Sequence, residues 1–248
     1  MLLLLPPSET KRDGGVEGTA LDLWQLGYWA LTPQRKTAVA ALARLSRSVD
    51  ASTVALGLGT TQRFEIDRNR ALMRSPLLPA VDRYTGVIYD GLAVETLAPA
   101  ARAFAYEHLV IGSALFGLLR ASDGIPAYRL SHDSRLPAIS LRALWRDGVA
   151  AELGRRKGLI LDLRSEAYSA LGHAPQREGS YYLRVVAEGA NGRRKALSHF
   201  NKKAKGEFTR AVLDAGIDHD SVESLSEWAS QNGIRLERGV EGELDLVV

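Results

Sequence analysis

The sequence predicts a single α+β domain in which central strands are surrounded by helices. Short apolar runs typical of buried strands are interspersed with longer stretches whose apolar residues recur at helical spacing. The two kinds of segment do not alternate as regular β–α–β units, and no repeat, linker or low-complexity tract divides the chain. We therefore expect one domain over residues 1–248.

The first half of the chain begins with a strand. Four leucines at 2–5 form an apolar run that stops at Pro6-Pro7, and Pro33 lies where the first turn of a helix tolerates proline. In chain order, the patterns of this half predict a strand at 2–5, a helix beginning at Thr32, a helical stretch over 63–74, an extended segment over 81–92, a helix over 99–108 and a strand over 109–112.

The second half of the chain contains the clearest amphipathic helix. Leu141, Trp145 and Leu153 lie on one face of the segment 140–156. Asn191-Gly192 is a strong signal for the turn of a β-hairpin. The further elements predicted are a strand over 159–163, hairpin strands over 181–186 and 194–198, helices over 199–215 and 221–231, and a final pair of strands over 234–238 and 243–248.

Composition excludes several classes of protein. The chain has no cysteine, which excludes disulfide scaffolds, thiolate metal sites and a cysteine nucleophile. No window reaches the length of apolar sequence that spans a membrane, and the leucines at the start lack the basic flank of a signal peptide. We therefore expect a soluble, cytoplasmic protein with no membrane partner. The common nucleotide-binding and hydrolase motifs are absent and the five histidines are scattered, so neither a cofactor nor a metal site is indicated.

Basic residues cluster late in the chain. The net charge of the whole chain is +3, yet 189–206 contains six basic residues and no acidic one. Lys202 and Lys205 share a helix face at i, i+3 spacing, while Lys203 points elsewhere. Such density suits neutralisation of phosphates, so DNA is the expected partner. A solvated helix face is the alternative explanation.

A glycine-containing turn follows the first predicted helix. Gly57-Leu58-Gly59-Thr60 lies between a short helical stretch and the basic one, within a region of about 50–74 that is similar to a helix–hairpin–helix element. Backbone N–H groups of Gly57, Gly59 and Thr60 would hold a phosphate there without reading base sequence. An ordinary turn between two helices is the alternative.

Several acid/base groups follow strands or turns. Glu9 and Lys11 share a face in extended backbone directly after the first strand. Tyr128 and Arg129 offer a hydroxyl, a stacking face and a planar fork for an anion. The remaining carboxylates considered are Asp90, Asp162 and Glu166, and helix capping, a structural ion pair or a solvated turn would explain these residues equally well.

Taken in order, segments from nearly the whole chain resemble the YaaA family of peroxide-stress proteins. The segments are LLLPPSETK at 3–11, YTGVIYDGL at 84–92, GSALFGLLR at 112–120, PAYRL at 126–130, LDLRSEAY at 161–168 and FNKKAKG at 200–206. The chain departs from better-known members in reading Ser-Glu-Thr-Lys rather than a Ser-Pro-Ala-Lys type at 8–11. It also has Asp162 and Arg164 where an asparagine and an alanine are more usual.

The resemblance implies a bacterial cytosolic protein with a fold peculiar to the family. It further implies DNA binding through a basic cleft, a helix–hairpin–helix element and a link to limiting free iron during peroxide stress. Lys202, Lys203, Lys205 and Arg129 would line the cleft, and 57–60 would form the hairpin.

Two functions remain open from the sequence. The first is DNA binding that is independent of base sequence and sensitive to DNA structure, with duplex or branched DNA as partner. The second is an enzyme acting on a nucleotide or another phosphate-bearing small molecule. In that enzyme Glu9 or Glu166 would be the general acid/base, and Arg129 and Lys205 would clamp the anion. The wider catalytic candidates are Glu9, Lys11, Tyr89, Asp90 and Glu166.

Overall fold

The computed structural model describes residues 1–188, 194–196 and 200–248, with the backbone alone described at 188, 194–196 and 200. The α-helices are α1 (Thr32–Leu45), α2 (Val49–Leu56), α3 (Phe64–Ala71), α4 (Ala80–Arg83), α5 (Val87–Leu92), α6 (Pro99–His108), α7 (Leu141–Gly154), α8 (Glu166–Ser169), α9 (Phe200–Ala215) and α10 (Val222–Gln231). The strands are β1 (Leu2–Leu5), β2 (Leu78–Pro79), β3 (Leu109–Ser113), β4 (Gly117–Arg120), β5 (Gly124–Ile125), β6 (Ile160–Asp162), β7 (Ser180–Glu188), β8 (Arg194–Ala196), β9 (Arg235–Arg238) and β10 (Glu243–Val247). Short 3-10 helices lie at Trp29–Leu31, Thr60–Gln62 and Val94–Thr96.

A mixed sheet forms the centre of the protein, in the order β4-β3-β1-β6-β7-β10-β9. The inner strands run parallel, from β3 through β1, β6 and β7 to β10. Antiparallel β4 and β9 flank them, and β8 pairs antiparallel with β7. β2 and β5 form a separate small pair. This arrangement confirms the predicted α+β class with central strands surrounded by helices.

The N-terminal strand lies in the middle of the sheet. β1 pairs with β3 on one side and with β6 on the other, and the side chains of Leu3, Leu4 and Leu5 are fully buried. A strand covered on both faces needs apolar residues at successive positions rather than alternating ones. The four-leucine run therefore encodes a central strand.

Helices α5 and α9 cross at a close contact that depends on two glycines. A Cβ on Gly206 would lie 2.1 Å from the carbonyl oxygen of Ile88, and a Cβ on Gly91 would lie 2.8 Å from the carbonyl oxygen of Lys203. These distances leave no room for a side chain on either helix. The contact fixes the N-terminal half of α9, and with it the lysines at 202–205, against the rest of the domain.

The prediction of an extended segment over 81–92 is wrong. The structure places α4 and α5 there, separated by a turn at Gly86, whose φ of 99° favours glycine. Ile88, Tyr89 and Leu92 are buried and lie on one helical face, whereas Val87 is more exposed. The apparent alternation came from two short helices joined by a glycine turn.

The other predicted elements are found close to their expected bounds. α6 spans the predicted 99–108, α7 lies within 140–156, and α9, α10, β9 and β10 fall within their predicted ranges. α3 is shorter than predicted, since it ends at Ala71. β7 and β8 form the predicted antiparallel pair, while the Asn191-Gly192 turn lies outside the described residues. In the part of the chain that is described, no helix is both long and apolar enough to cross a membrane.

Candidate functional site

The carboxyl ends of three neighbouring parallel strands bring together several of the predicted site residues. β1 leads into the loop containing Glu9 and Lys11, β3 ends at Ser113, and β6 ends at Asp162. Loops that leave the carboxyl ends of adjacent parallel strands lie at one edge of the sheet, where binding sites of such sheets commonly form. We call this region the carboxyl-edge site.

Lys11 is the most unusual residue of the carboxyl-edge site. Lys11 is only 6% exposed, and its amine donates hydrogen bonds to the carbonyl oxygens of Ser8 and Glu9 at 3.0 and 3.2 Å. The same amine lies 4.1 Å from the ring centre of Tyr128 and 5.3 Å from that of Tyr84. Burial lowers the pKa of Lys11 to about 7, against an opposing effect of the Glu65 carboxylate. Lys11 can therefore both give and take a proton near neutral pH.

Arg129 faces Lys11 across the same site and binds Glu9. Arg129 Nη2 lies 2.7 Å from Glu9 Oε2, and the two partners differ in exposure, since the arginine side chain is 8% exposed and the glutamate 57%. Asn69 of α3 holds the backbone of Arg129 at both ends, donating to its carbonyl oxygen and accepting from its N–H. The structure thus brings together Glu9, Lys11 and Arg129, three of the residues that the sequence offered as candidates.

Helix α3 contributes a buried carboxylate that was not predicted. Glu65 lies one helical turn before Asn69 and is 4% exposed, with Oε1 accepting from Arg68 at 3.0 Å. Arg68 also binds the exposed Asp13. Glu65 Oε2 and Arg129 Nε are both buried without a hydrogen-bond partner. Buried polar atoms are usually paired, so an unpaired acceptor and an unpaired donor near one buried amine indicate a place for a ligand.

Two tyrosines and a serine form a buried hydrogen-bonded chain beside Lys11. The hydroxyl of Tyr128 lies 2.7 Å from both Tyr84 Oη and Ser113 Oγ. Ser113 Oγ also accepts from the N–H groups of Leu115 and Phe116, which occupy its lone pairs and leave its own proton for Tyr128. Burial raises the pKa of both tyrosines, so they stay protonated. Whichever tyrosine donates to the other, one phenolic proton is left over.

Asp162, Arg164 and Lys205 form a second group at the same sheet edge. Arg164 binds Asp162 at two points, and both side chains are almost fully buried. Lys205, 3% exposed, donates to the carbonyl oxygen of Leu163 at 3.1 Å and lies 5.1 Å from the ring centre of Tyr182. Burial lowers the pKa of Lys205 to about 8, opposed by Asp162.

A wide groove of about 1050 Å³ runs beside this second group. Asp162, Glu166 and Tyr182 line it, together with residues from the β9–β10 turn. Glu166 is exposed at the start of α8, and none of the contacts seen among the described residues joins it to Glu9. Asp90, another predicted candidate, is exposed on α5. The structure therefore separates the predicted acid/base residues into the Lys11–Arg129 group, the Asp162–Lys205 group and exposed carboxylates.

The basic run is described only in part. Residues 189–193 and 197–199 lie outside the described residues. Lys202 and Lys203 are exposed on the first turn of α9, and Lys203 lies 3.3 Å from Glu207 one turn later. Lys205 points inward, so the predicted shared face of Lys202 and Lys205 includes one exposed and one buried amine.

The predicted hairpin region consists of two short helices joined by a turn. α2 ends at Leu56 and is followed by Gly57, whose φ of 61° suits glycine, and a 3-10 helix over Thr60–Gln62 precedes α3. Gly57, Gly59 and Thr60 are exposed, although the N–H of Gly59 is already bound by Gln62 Oε1 at 2.9 Å. The turn is therefore open to a partner, but two of its N–H groups are already bound, because that of Gly57 donates to the carbonyl oxygen of Val54 at 3.3 Å.

Sequence reasoning did not single out Glu65, Asn69, Tyr84 or Ser113. The available signal was weak, because Glu65 and Asn69 lie at i, i+4 in a polar, arginine-rich stretch that reads as a solvated helix. Their burial depends on the loop around Arg129, sixty residues away in sequence from Asn69. Across the described residues, no group of three histidines or carboxylates is arranged to hold a metal ion.

Comparison with known proteins identifies the family. A family model described as peroxide stress protein YaaA matches residues 1–238. A UPF0246 protein of Corynebacterium efficiens is 40% identical over 255 residues, covering 100% of both chains. A UPF0246 protein of Streptomyces coelicolor is 36% identical over 241 residues, covering 96% of this chain and 92% of the relative. The chain belongs to the family of peroxide stress protein YaaA.

Proposed function

We propose that this member of a peroxide-stress family is a cytosolic protein that binds DNA without reading base sequence and thereby helps to limit iron-driven damage. The contacts would come from Lys202 and Lys203 on α9 and from the exposed turn at Gly57, Gly59 and Thr60. Family membership supports the role in peroxide stress. The surface at the start of α9 supports the choice of a polyanion as partner.

The position of Lys202 and Lys203 is the observation that carries this proposal. Both lysines are exposed in the first turn of a sixteen-residue helix, and that turn holds no acidic residue. The N-terminus of a helix carries partial positive charge, so lysines there are less favourable for the helix than carboxylates would be. The arrangement concentrates positive potential on an exposed surface, which suits phosphate groups of a nucleic acid.

Burial narrows the predicted DNA-binding set. Tyr128, Arg129 and Lys205 are 1%, 6% and 3% exposed, so the backbone of a duplex has no access to them in this conformation. Within the described residues, the proposed interface therefore consists of Lys202, Lys203 and the 57–60 turn. The N–H groups of Gly57 and Gly59 are bound within the turn, so the N–H of Thr60 is the one that would hold a phosphate, a contact that carries no information on base sequence.

Fluorescence anisotropy with labelled duplex and branched DNA tests this proposal. The variant K202A/K203A is compared with K36A/K157A, which removes the same charge from two other exposed positions. We expect wild type and the control to bind every duplex sequence alike, with affinity falling steeply as salt rises. Each lost phosphate contact lowers the log–log salt slope by about 0.9. Equal binding by the two double variants would refute the assignment to α9.

The Glu9–Arg129 contact supports a second candidate, an enzyme acting on a phosphate-bearing small molecule. Arg129 is buried behind an exposed carboxylate, next to a lysine whose pKa lies near neutrality. This geometry suits a small anion rather than a duplex. Lys205 of the predicted set lies in the Asp162–Lys205 group and Glu166 is exposed beside the groove, so this candidate now depends on Glu9, Lys11 and Arg129. Turnover of a phosphate monoester that is abolished by R129A but retained by K202A/K203A would favour it over DNA binding.

A further inference from the structure

The inner part of the carboxyl-edge site holds three hydrogen-bonding groups that find no partner among the described residues. Arg129 Nε is a buried donor and Glu65 Oε2 a buried acceptor, and neither has a partner. The hydrogen-bonded series Tyr84–Tyr128–Ser113 adds one phenolic proton for which the described part of the protein offers no acceptor. Buried polar groups are costly to leave unpaired, and a ligand that completes their bonding would remove that cost.

The positions of these groups converge on Lys11. Glu65 exerts the largest charge effect on the Lys11 amine, and Arg129 exerts the next. Glu65 also lies one turn from Asn69, the residue that binds the backbone of Arg129. Lys11 pairs with no carboxylate within 4.0 Å in the described part of the chain, since its amine is held by carbonyl oxygens instead. The charged groups facing the amine are Glu9, Glu65, Arg68 and Arg129, and the aromatic ones are Tyr84 and Tyr128.

We propose that Lys11, Glu65 and Arg129 form a binding site for a protonated phosphate group, and that Glu9 leaves Arg129 when this group binds. The anionic oxygens would accept from Arg129, from Lys11 in its charged form and from the free phenolic proton. The P–OH group would donate to Glu65 Oε2. A buried carboxylate beside an anion site favours a ligand that carries a proton of its own, and this requirement distinguishes phosphate from sulfate.

Glu9 is suited to the role of a displaceable partner. Its side chain is 57% exposed, whereas the arginine that it binds is 8% exposed, so the carboxylate can swing into solvent while Arg129 stays fixed. Solvent reaches the glutamate and screens its side of the pair, and an incoming dianion would accept from several donors where Glu9 accepts from one. The site is independent of the DNA surface at Lys202 and Lys203, and it gives the small-molecule candidate its ligand group.

Calorimetric titration of the full chain with inorganic phosphate and with sulfate tests the proposal. Sulfate has similar size and charge but carries no proton at neutral pH. We expect phosphate to bind at least about tenfold more tightly than sulfate, and E65Q to abolish that preference. E9Q should bind phosphate about two- to fivefold more tightly than wild type, because the competing carboxylate is removed. K11M should lose most phosphate binding, while K157M, at an exposed lysine elsewhere, should match wild type.

Methyl phosphate, titrated at mildly acidic pH where it keeps a proton, separates the two sources of the group. If methyl phosphate binds about as tightly as inorganic phosphate, the ligand class is a phosphate monoester. If methyl phosphate does not bind, the ligand is free phosphate. E65Q changes no volume appreciably, so its result stands even where K11M does not fold. Equal affinities for phosphate and sulfate in wild type, weaker phosphate binding in E9Q, or no binding up to about 50 mM would each overturn the proposal. None of these outcomes bears on DNA binding, which is measured separately with K202A/K203A.

Discussion

Asp162 and Arg164 bind each other at two points inside the protein, with Arg164 Nε 2.9 Å from Asp162 Oδ1 and Nη2 2.8 Å from Oδ2. Their side chains are 3% and 1% exposed. Arg164 also donates to the carbonyl oxygen of Gly172, and its Cδ would lie 3.0 Å from a Cβ on Gly112. The pair therefore joins the end of β6 to β3 and to the loop after α8.

Breaking this pair from one side should cost far more than replacing both partners. We expect R164A to lower the free energy of unfolding by about 3–5 kcal/mol, since it leaves the Asp162 carboxylate buried without its cation. D162N/R164A should recover part of that loss, because an amide needs no counter-charge. Urea unfolding of the single and double variants measures the coupling, with R146A at an exposed pair as the control that should behave like wild type. Simple additivity of the two single changes would contradict a coupled pair.

Stability should depend on pH through Lys11. Burial lowers the pKa of Lys11 from 10.5 to about 7, so between these values the unfolded chain binds a proton that the folded chain does not. Lys11 therefore makes stability rise with pH across this window, and its penalty is largest below pH 7. We expect the stability of K11M relative to wild type to fall by about 2–3 kcal/mol between pH 7 and 9.5, at 1.36 kcal/mol per pKa unit.

Urea unfolding at several pH values measures this difference, and K36M provides the matched control at an exposed lysine. Because the other titrating groups are common to wild type and variant, they cancel in the comparison. The difference for K36M should stay constant with pH. A pH-independent difference for K11M would show that the amine keeps an ordinary pKa in the folded protein.

The crossing of α5 and α9 gives a third prediction. G206A places a methyl group 2.1 Å from the carbonyl oxygen of Ile88, and neither helix backbone can yield without losing its packing. We expect a loss of at least about 1–3 kcal/mol from such overpacking. G154A is the control, because this exposed glycine at the end of α7 has nothing within 4 Å of its Cβ position. The control should be neutral or slightly stabilising. Thermal melts of both variants suffice, and equal midpoints would mean that the helices cross further apart.

Much of the sheet could be predicted because its strands are short apolar runs that need burial on both faces. The residues 2–5 and 159–163 carry that signal without any knowledge of their neighbours. The segment 81–92 was predicted to be extended because α4 and α5 are too short to show helical periodicity, and because Asp90-Gly91 is typical of a turn. Its glycine instead serves the contact with α9, a tertiary requirement that local sequence does not reveal.

The candidate site was predictable in its loops and unpredictable in its helix. Glu9 and Lys11 follow a strand and Arg129 follows a proline-containing turn, and such positions commonly carry functional side chains. Glu65 lies in a helix whose charged residues look solvated, and only the packing of α3 against the Arg129 loop buries it. Burial likewise decides which lysines of the basic run face a partner, since Lys203 is exposed and Lys205 is not. Charge density alone could not separate these cases.

The Ser113–Tyr128–Tyr84 chain should show a graded response to removal of its hydroxyls. S113A removes the partner shared by three groups, the buried N–H groups of Leu115 and Phe116 and the hydroxyl of Tyr128. Y128F removes a partner from two hydroxyls, those of Ser113 and Tyr84, and Y84F removes a partner from the Tyr128 hydroxyl alone. Each buried group left unpaired costs about 1–3 kcal/mol, so the losses should rank S113A, then Y128F, then Y84F. Y128F/Y84F should cost less than the sum of its single changes, because the hydroxyls share one bond. Urea unfolding gives the ranking, with the half-buried Tyr106 changed to phenylalanine as a control. Equal losses of unfolding free energy for all three single variants would show that the N–H groups of Leu115 and Phe116 do not orient the Ser113 hydroxyl toward Tyr128.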